Sequence, residues 1–250
     1  MEKIKEVKAI KYKNKEFKEV NEKIIKDENI NLQINHLPPR KFSTYPENLE
    51  DFVIGYLLGE GLINKIDDIK KIEKNGKNIN IRIKLTEIYK EGGCILSDCG
   101  GGWRSEIKKI TPVKSNLKIN AIDILKNMER LKKEAPIWKQ TGGAHVAQII
   151  YKDKYIIRED VSRHVAVDKV IGAATRKSYD LSKSYITYSG RMPSDMVIKI
   201  IRVGIPILIS NTAPSNSGYE IAEKGNVTMI GFVRGNRFNI YTNPNRINLN

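Results

Sequence analysis

The sequence predicts an α/β protein whose N-terminal part is α+β. From Trp138 onward, predicted strands and helices alternate, which is typical of a sheet with parallel strands and right-handed crossovers. Before residue 115, strand-like segments surround one clear helix. Of the 250 residues, 40% are hydrophobic and 29% are charged, as expected for a soluble globular protein.

The N-terminal elements are predicted from the spacing of their apolar residues. A helix over 46–58 is indicated by Pro46 in its first turn, by early acidic residues and by an apolar face that ends at Gly59. Strict alternation over 79–85 predicts a half-buried strand. Lysines interrupt three further strand-like segments, as in exposed or edge strands. These segments are 7–12, 17–21 and 30–37, and Pro38 and Pro39 end the last of them.

A linker over 108–117 leads into the second part. We place a domain boundary near residue 115, which gives predicted domains over 1–115 and 116–250. An amphipathic helix over 120–134 follows the linker. The predicted strands are then 144–151, 155–158, 184–188, 206–209, 227–233 and 237–241. The predicted helices between them are 161–175, capped by Asp160, then 193–203 and one that ends at Gly225.

Composition limits the cellular location and the class of partner. No run of about 18 apolar residues exists, and residues 1–5 lack the apolar region of a secretory signal, so we expect no membrane partner. Two cysteines make no disulfide framework, which favours a cytoplasmic location. The net charge of +15 suggests nucleic acid, but the lysines are dispersed and the aromatic residues are few. We therefore expect no nucleic-acid partner.

A glycine-rich segment over 91–104 holds both cysteines and five of the eighteen glycines. Three glycines follow Cys99 directly, which indicates a thiol on a flexible arm; the alternative is a surface loop with an incidental cysteine. Cys94 precedes two aliphatic residues and fits a buried small hydrophobe better. A redox C-x-x-C is absent, so we predict single-thiolate chemistry on Cys99. Such chemistry requires a cationic neighbour or a lowered pKa, and Arg104 is the nearest candidate in sequence.

Two strand–helix junctions and one glycine pair indicate an anionic ligand. The junctions are 189–191, which contains Arg191, and 210–214; Thr141, Gly142 and Gly143 precede another strand. Ligands bind at the carboxyl ends of strands in open α/β sheets, and helix N-termini favour phosphate. Each segment taken alone is equally typical of an ordinary connecting turn.

A predicted hairpin near the C-terminus combines an aromatic residue with two arginines. Its residues are Phe232, Val233, Arg234, Gly235, Asn236 and Arg237. Gly-Asn is a hairpin signal. The functional interpretation is an arginine pair that binds phosphates, with Phe232 stacking on a base. A solvated hairpin tip is about as compatible with the sequence.

Carboxylates near His164, those of Glu159, Asp160 and Asp168, suggest acid–base chemistry or a metal. His145 and His164 each lie on a predicted strand or helix, however, where a hydrogen-bonded structural role is commoner. A zinc deaminase requires H-x-E and a later P-C-x-x-C, whereas His145 lacks the glutamate and no cysteine follows Cys99. Structural zinc requires four ligands at close spacing. We therefore expect no structural metal, and a hydrogen-bonded structural role for His145 and His164.

Eight segments form an unusual combination. They are 46–52 (PENLEDF), 59–63 (GEGLI), 97–100 (SDCG), 141–145 (TGGAH), 158–172 (REDVSRHVAVDKVIG), 189–191 (SGR), 213–215 (APS) and 231–238 (GFVRGNRF). Together they resemble the formate dehydrogenase accessory sulfurtransferases, the FdhD family. The resemblance covers most of the chain from about residue 28 to residue 247.

The resemblance implies a sulfur carrier with sulfurtransferase activity. It implies that Cys99 accepts sulfur as a persulfide from a cysteine desulfurase. The sulfur then passes to the molybdenum or tungsten bis(molybdopterin guanine dinucleotide) cofactor, which is cargo for the catalytic subunit of formate dehydrogenase. The guanine dinucleotide contact maps onto 232–237. The resemblance also implies a homodimer and a three-layer, cytidine-deaminase-like C-terminal domain with a mixed sheet and no zinc.

The chain departs from this family at the cysteine segment, because Gly102 stands where many members have a second cysteine. Sulfur relay between two cysteines at those positions is therefore impossible, and we favour Cys99 acting alone. Ser162 and Val165 also replace a common glycine and asparagine. The sequence leaves open the metal, the sulfur donor, the role of Cys94 and the position of the Cys99 segment relative to the ligand. A chaperone that only holds the cofactor is the alternative function, and a nucleic-acid-binding protein is a weaker one.

Overall fold

The computed structural model describes residues 3–86 and 110–248, so Cys94 and Cys99 lie outside the described residues. The helices in the described part are α1 (Leu49–Gly59), α2 (Ala121–Lys133), α3 (Pro136–Thr141), α4 (Arg163–Arg176), α5 (Ser194–Arg202) and α6 (Asn216–Lys224). The strands of the first part are β1 (Ile4–Lys13), β2 (Glu16–Ile25), β3 (Glu28–Ile34), β4 (Arg40–Thr44), β5 (Ile69–Asn75) and β6 (Asn78–Ile83). Those of the second part are β7 (Ile119–Asn120), β8 (His145–Tyr151), β9 (Lys154–Asp160), β10 (Ser184–Tyr188), β11 (Ile207–Ser210), β12 (Thr228–Arg234), β13 (Arg237–Thr242) and β14 (Ile247–Asn248).

A six-stranded mixed sheet forms the centre of the molecule, in the order β13-β12-β11-β10-β8-β9. Strands β10, β11 and β12 are parallel, whereas β8, β9 and β13 pair antiparallel with their neighbours. The alternation along β8 divides its side chains between two cores, with Ala147 and Ile149 on one face and Val146 and Ile150 on the other. The prediction of a mixed α/β fold is confirmed.

The two faces of this sheet are covered by different elements. Helix α2 covers one face through Ile124, Met128 and Leu131. On the other face, α4 and α5 pack beneath α1, and α1 in turn packs on a four-stranded sheet of order β4-β3-β6-β5. This larger core contains buried residues from both sides of residue 115. The domain boundary near that residue stays a prediction.

Helices α1 and α4 cross at two glycines that let their backbones touch. A Cβ atom on Gly55 would lie 1.8 Å from the carbonyl oxygen of Asp168, and one on Gly172 would lie 1.9 Å from that of Asp51. Any side chain at either position would therefore force the helices apart. Beside the crossing, the buried Asp51 accepts hydrogen bonds from Arg158 at 2.8 Å and from Arg176 at 2.9 Å, which joins α1 to β9 and α4.

Several predicted boundaries are wrong, and local conformation explains them. Helix α1 begins at Leu49 rather than in the turn of Pro46, because Asn48 adopts a left-handed conformation at φ 53°. Helix α4 begins at Arg163 rather than at residue 161, and Ser162 occupies its N-cap position without a side-chain capping bond. The Asp160 carboxylate accepts a hydrogen bond from the Ser162 N–H at 2.9 Å and others from Thr44 and Tyr45. Strands β4 and β5 and helix α3 were not predicted. In β4, pairing to β3 resumes directly after Pro39.

Strands β1 and β2 form a separate two-stranded hairpin. Its tip exposes Ile10, Tyr12 and Phe17, and the two aromatic rings lie 5.1 Å apart. None of the helices between residues 3 and 86 or between residues 110 and 248 has the length and hydrophobicity of a membrane span.

Candidate functional site

The candidate site lies at the edge of the six-stranded sheet where β9, β10, β11 and β12 end, which we call the carboxyl edge. Strand β8 runs the opposite way, so its first residue, His145, lies at this edge opposite Asp160. The junctions after β10 and β11, predicted separately from the sequence, are neighbours here because these two strands are paired in parallel. Open α/β sheets bind their ligands at such an edge.

The two junctions are joined by hydrogen bonds. The Ser210 hydroxyl donates to the carbonyl of Gly190 at 2.6 Å. The backbone N–H of Met192 donates to the carbonyl of Ala213 at 3.2 Å, and that of Ser215 donates to the carbonyl of Met192 at 3.2 Å. These bonds hold one loop against the other, so the backbone positions of the side chains on both loops are fixed before a ligand binds.

Helices α4, α5 and α6 all begin at the carboxyl edge. Ser215 caps α6 by accepting a hydrogen bond from the backbone N–H of Gly218 at 3.1 Å. His164 Nε2 and Asp195 Oδ2 lie 3.4 Å apart and join the first turns of α4 and α5. The amino ends of helices carry partial positive charge, which favours an anionic ligand at this edge.

Four arginines add full positive charges. Arg163 opens α4 and is half-buried, Arg191 follows β10 and is exposed, and Arg234 faces Arg237 across the β12–β13 hairpin. None of the four forms an ion pair with a carboxylate of the described residues. The Arg163 Nε atom is buried and has no hydrogen-bond partner among the described residues. Guanidinium groups that have no carboxylate partner are available for bidentate contacts to phosphate.

The hairpin residues have different exposures. Phe232 is half-buried and has a positive φ of 53°, at an irregularity in the pairing of β12 with β13. Its N–H donates to the carbonyl of Thr212 at 3.1 Å, which links the hairpin to the β11 junction. Arg234 donates through Nε to the carbonyl of Asn211 at 3.1 Å, and its guanidinium carbon lies 5.8 Å from the centre of the Phe232 ring.

Val233 is placed differently from the other predicted hairpin residues. Its side chain is 1% exposed and packs in the core beneath α2, so only its backbone faces the edge. Gly235 and Asn236 form the exposed turn of the hairpin.

Thr141, Gly142 and Gly143 lie near the carboxyl edge as the end of a short helix. Gly142 is left-handed at φ 64°, and its N–H donates to the carbonyl of Trp138 at 2.7 Å. The Thr141 hydroxyl donates to the carbonyl of Ile137 at 2.8 Å and accepts from the N–H of Gly143 at 3.1 Å. The Thr141 hydroxyl and the two glycine N–H groups are therefore used in ending α3 and starting β8.

His145 is a neutral member of the site. Its Nδ1 lies 3.3 Å from the hydroxyl of Ser189, which also accepts a hydrogen bond from the N–H of Val146 at 2.9 Å. Burial, and then the charge of Arg163, lowers the pKa of His145 below its ordinary value of 6.5. The imidazole can therefore accept or donate a hydrogen bond near pH 7 without adding charge.

A buried ion pair beneath this edge was not identified from the sequence. Asp160 and Lys169 are both fully buried, and their charged groups lie 2.7 Å apart. Asp160 also accepts hydrogen bonds from the Thr44 hydroxyl at 2.5 Å, the Tyr45 N–H at 3.1 Å and the Ser162 N–H at 2.9 Å.

This pair ties β4 to the start of α4 and so supports Arg163 and His164. Burial lowers the pKa of Lys169, and the charge of Asp160 opposes that shift. Both residues lie in the 158–172 segment, but the spacing of residues within that segment does not predict its contact with residues 44 and 45.

Comparison with known proteins agrees with the resemblance. The family model described as FdhD/NarQ family matches residues 25–248. The sulfur carrier protein FdhD of Methanothermobacter thermautotrophicus is 45% identical over 233 residues, covering 93% of this chain and 94% of that protein. Protein FdhD of Methanocaldococcus jannaschii is 35% identical over 241 residues, covering 96% of each chain.

One solved structure supports the fold. A protein assigned as a candidate formate dehydrogenase accessory protein from Desulfotalea psychrophila matches with a TM-score of 0.80 at 24% identity, covering 98% of this chain and 99% of that chain.

Proposed function

Because the chain belongs to the FdhD/NarQ family, whose model matches residues 25–248, we propose that it is a sulfurtransferase that carries sulfur as a persulfide on Cys99. A cysteine desulfurase supplies the sulfur. The molybdenum or tungsten bis(molybdopterin guanine dinucleotide) cofactor receives it before the catalytic subunit of formate dehydrogenase takes up that cofactor. The observation that carries the cargo-binding part of this proposal is the set of arginines at the carboxyl edge that form no ion pair among the described residues.

The carboxyl edge suits the dinucleotide end of the cargo. Each guanine dinucleotide carries a diphosphate, which matches guanidinium groups and helix N-termini. Arg234 and Arg237 stand across one hairpin from each other, so they can contact a diphosphate together. Phe232 lies beside them and offers a ring face for a guanine base.

Arg163 and Arg191 extend the same charge toward the starts of α4 and α5. Arg163 lies at the first turn of α4, where the helix dipole adds to its charge. His145 stays neutral beside it, so the phosphate charge is balanced by arginine rather than by a group that titrates near pH 7.

The chemical step on Cys99 is a thiol–persulfide exchange. The Cys99 thiolate attacks the outer sulfur of the donor persulfide, a new S–S bond forms and the donor cysteine leaves as a thiolate. Electrons balance within this exchange, so no external oxidant is required. Gly102 rules out a relay to a second cysteine at that position. In this proposal Cys99 acts without help from Cys94.

Other properties implied by the family belong to the same proposal. We propose a homodimer in the cytoplasm and a cytidine-deaminase-like arrangement of the sheet between α2 and the α4–α5 layer. The sheet order and its three parallel strands support that arrangement. The carrier acts without a structural metal.

Intact-mass measurement tests the carrier role. Purified protein incubated anaerobically with cysteine and a cysteine desulfurase gains one sulfur atom. Cys99→Ala abolishes the gain, and Cys94→Ala, the matched control, retains it. Activation of formate dehydrogenase by Cys99→Ala would contradict the mechanism. Activation by the variant that lacks both cysteines, with guanine nucleotide binding intact, would favour the cofactor-holding chaperone instead.

A further inference from the structure

A second cationic surface lies at the opposite edge of the six-stranded sheet. It is a cleft of about 610 Å³, which we call the lysine cleft. Lys152 follows the last residue of β8, and Lys183 precedes the first residue of β10, where Tyr151 is paired with Ser184. The cleft is lined by Lys114, Ser115, Asn116, Leu117, Lys118, Lys152, Ser182 and Lys183.

The charge of the lysine cleft is mostly unbalanced. Lys114, Lys118 and Lys152 are exposed and form no ion pair with another described residue. Lys183 pairs with Asp180 at 3.1 Å, and no carboxylate lines the cleft. Asp153, next to Lys152 in the β8–β9 turn, is the nearest other acidic residue in sequence. At least three positive charges therefore face one concave surface.

One wall of the cleft is an extended chain segment that hydrogen bonds hold in place. The Ser115 hydroxyl donates to the carbonyl of Ser182 at 2.6 Å and accepts from the N–H of Leu117 at 3.1 Å. Just before it, the Asn226 side chain donates to the carbonyl of Val113 at 2.8 Å. The backbone N–H groups of Asn116 and Lys118 have no partner among the described residues. An extended wall with open backbone groups suits an extended peptide.

We propose that the lysine cleft binds an extended, acidic segment of a partner protein, rich in Asp and Glu. Lysines attract carboxylates as point charges without imposing a fixed geometry, which suits a segment of variable sequence. The lining residues include no arginine and no glycine, and no α-helix begins among them. The bidentate contacts and the helix N-terminus that hold phosphate in a fixed geometry are therefore missing from the lining. The half-buried Leu117 adds an apolar contact for the stem of a glutamate.

This proposal is independent of the function proposed for the carboxyl edge. The two surfaces lie at opposite ends of the same strands, and no residue contributes to both. A partner held at the lysine cleft therefore leaves the carboxyl edge accessible.

Fluorescence anisotropy with a labelled hexaglutamate peptide tests the cleft on the full chain. We expect Lys114→Glu/Lys118→Glu/Lys152→Glu to lower the affinity for the peptide at least ~10-fold. The matched control, Lys41→Glu/Lys74→Glu/Lys126→Glu, reverses three exposed lysines that form no ion pair in the described part and changes the net charge equally. We expect it to lower the affinity by less than ~3-fold. Thermal melts verify that both variants are folded.

Two outcomes would overturn the proposal. One is an equal loss of peptide affinity in the two variants, which would show that the peptide responds to the net charge of the protein rather than to the lysine cleft. The other is displacement of the peptide by a single-stranded oligothymidylate that binds more tightly and loses the same affinity in the cleft variant. That result would assign the cleft to nucleic acid.

Discussion

The carboxyl edge and the lysine cleft are both cationic and lie at opposite edges of one sheet, but they present their charge differently. At the carboxyl edge, arginines combine with three helix starts and with loops joined by hydrogen bonds such as that from Ser210 to Gly190. In the lysine cleft, exposed lysines lie on an extended backbone segment and on two neighbouring turns. The first arrangement is preorganised for a ligand of fixed geometry, and the second gives attraction without such geometry. The net charge of +15 therefore does not describe one function.

The substitution with the largest expected effect, Gly172→Val, destabilises the whole fold and with it both cationic surfaces. Gly172→Val places side-chain atoms against the backbone of α1, where even a Cβ would lie 1.9 Å from the carbonyl oxygen of Asp51. We expect a loss of more than about 4 kcal/mol in the free energy of unfolding, measured in urea. Lys177→Ala, at the exposed end of the same helix, is the control and should change stability by less than about 0.5 kcal/mol. Wild-type stability in Gly172→Val would show that the helices can separate without cost.

A substitution with a smaller expected effect, Asp160→Asn, should weaken ligand binding at the carboxyl edge but not at the lysine cleft. Asp160→Asn leaves Lys169 buried without its counter-charge beneath the carboxyl edge, and we expect a loss of about 3 kcal/mol in urea unfolding. In the protein that remains folded, affinity for GDP should fall while affinity for hexaglutamate is retained, because only the carboxyl edge rests on this pair. Glu19→Gln, which breaks the exposed pair with Lys8, is the control and should cost less than about 1 kcal/mol. Equal losses of both affinities in Asp160→Asn would contradict a local role.

The smallest effect concerns His145 alone. Its pKa, followed by NMR titration, should lie below 6.5 and should rise in Arg163→Gln, because that variant removes one of the charges that disfavour the imidazolium. Since the folded-state pKa is depressed, the unfolded chain binds this proton first, and the contribution of His145 destabilises the fold as pH decreases through about 6.5. Arg82→Gln, on the exposed side of β6, should leave the titration unchanged. If the titration midpoint of His145 is the same in Arg163→Gln as in the wild type, the charge of Arg163 does not influence the pKa of His145.

Local patterns in the sequence were sufficient for much of the fold. The predicted strand 184–188 agrees with β10 because five buried residues lie between Lys183 and a Ser-Gly turn. The β12–β13 hairpin was predicted correctly from its Gly-Asn tip. Strand β4 was missed because Pro38 and Pro39 indicate a break, whereas pairing with β3 overrides that signal from Arg40 onward.

The arrangement of the site required contacts between distant parts of the chain. Asp160 binds Thr44 across 116 residues, and no local pattern links those positions. The lysine cleft joins three segments in the same way. Arg191 and Arg234 were predicted as separate candidates, and the parallel pairing of β10, β11 and β12 places both at one edge. The placement of Cys99 stays a prediction, since it lies outside the described residues.

The most direct test of the account is calorimetric titration of GDP into two variants of the full chain. Arg234→Ala/Arg237→Ala should lower the affinity for GDP at least ~10-fold, because it removes two guanidinium contacts to phosphate. The lysine-cleft variant Lys114→Glu/Lys118→Glu/Lys152→Glu should stay within ~3-fold of the wild type, because those side chains lie at the opposite edge. The reverse pattern, or an equal loss in both variants, would contradict the assignment of the guanine dinucleotide to the carboxyl edge.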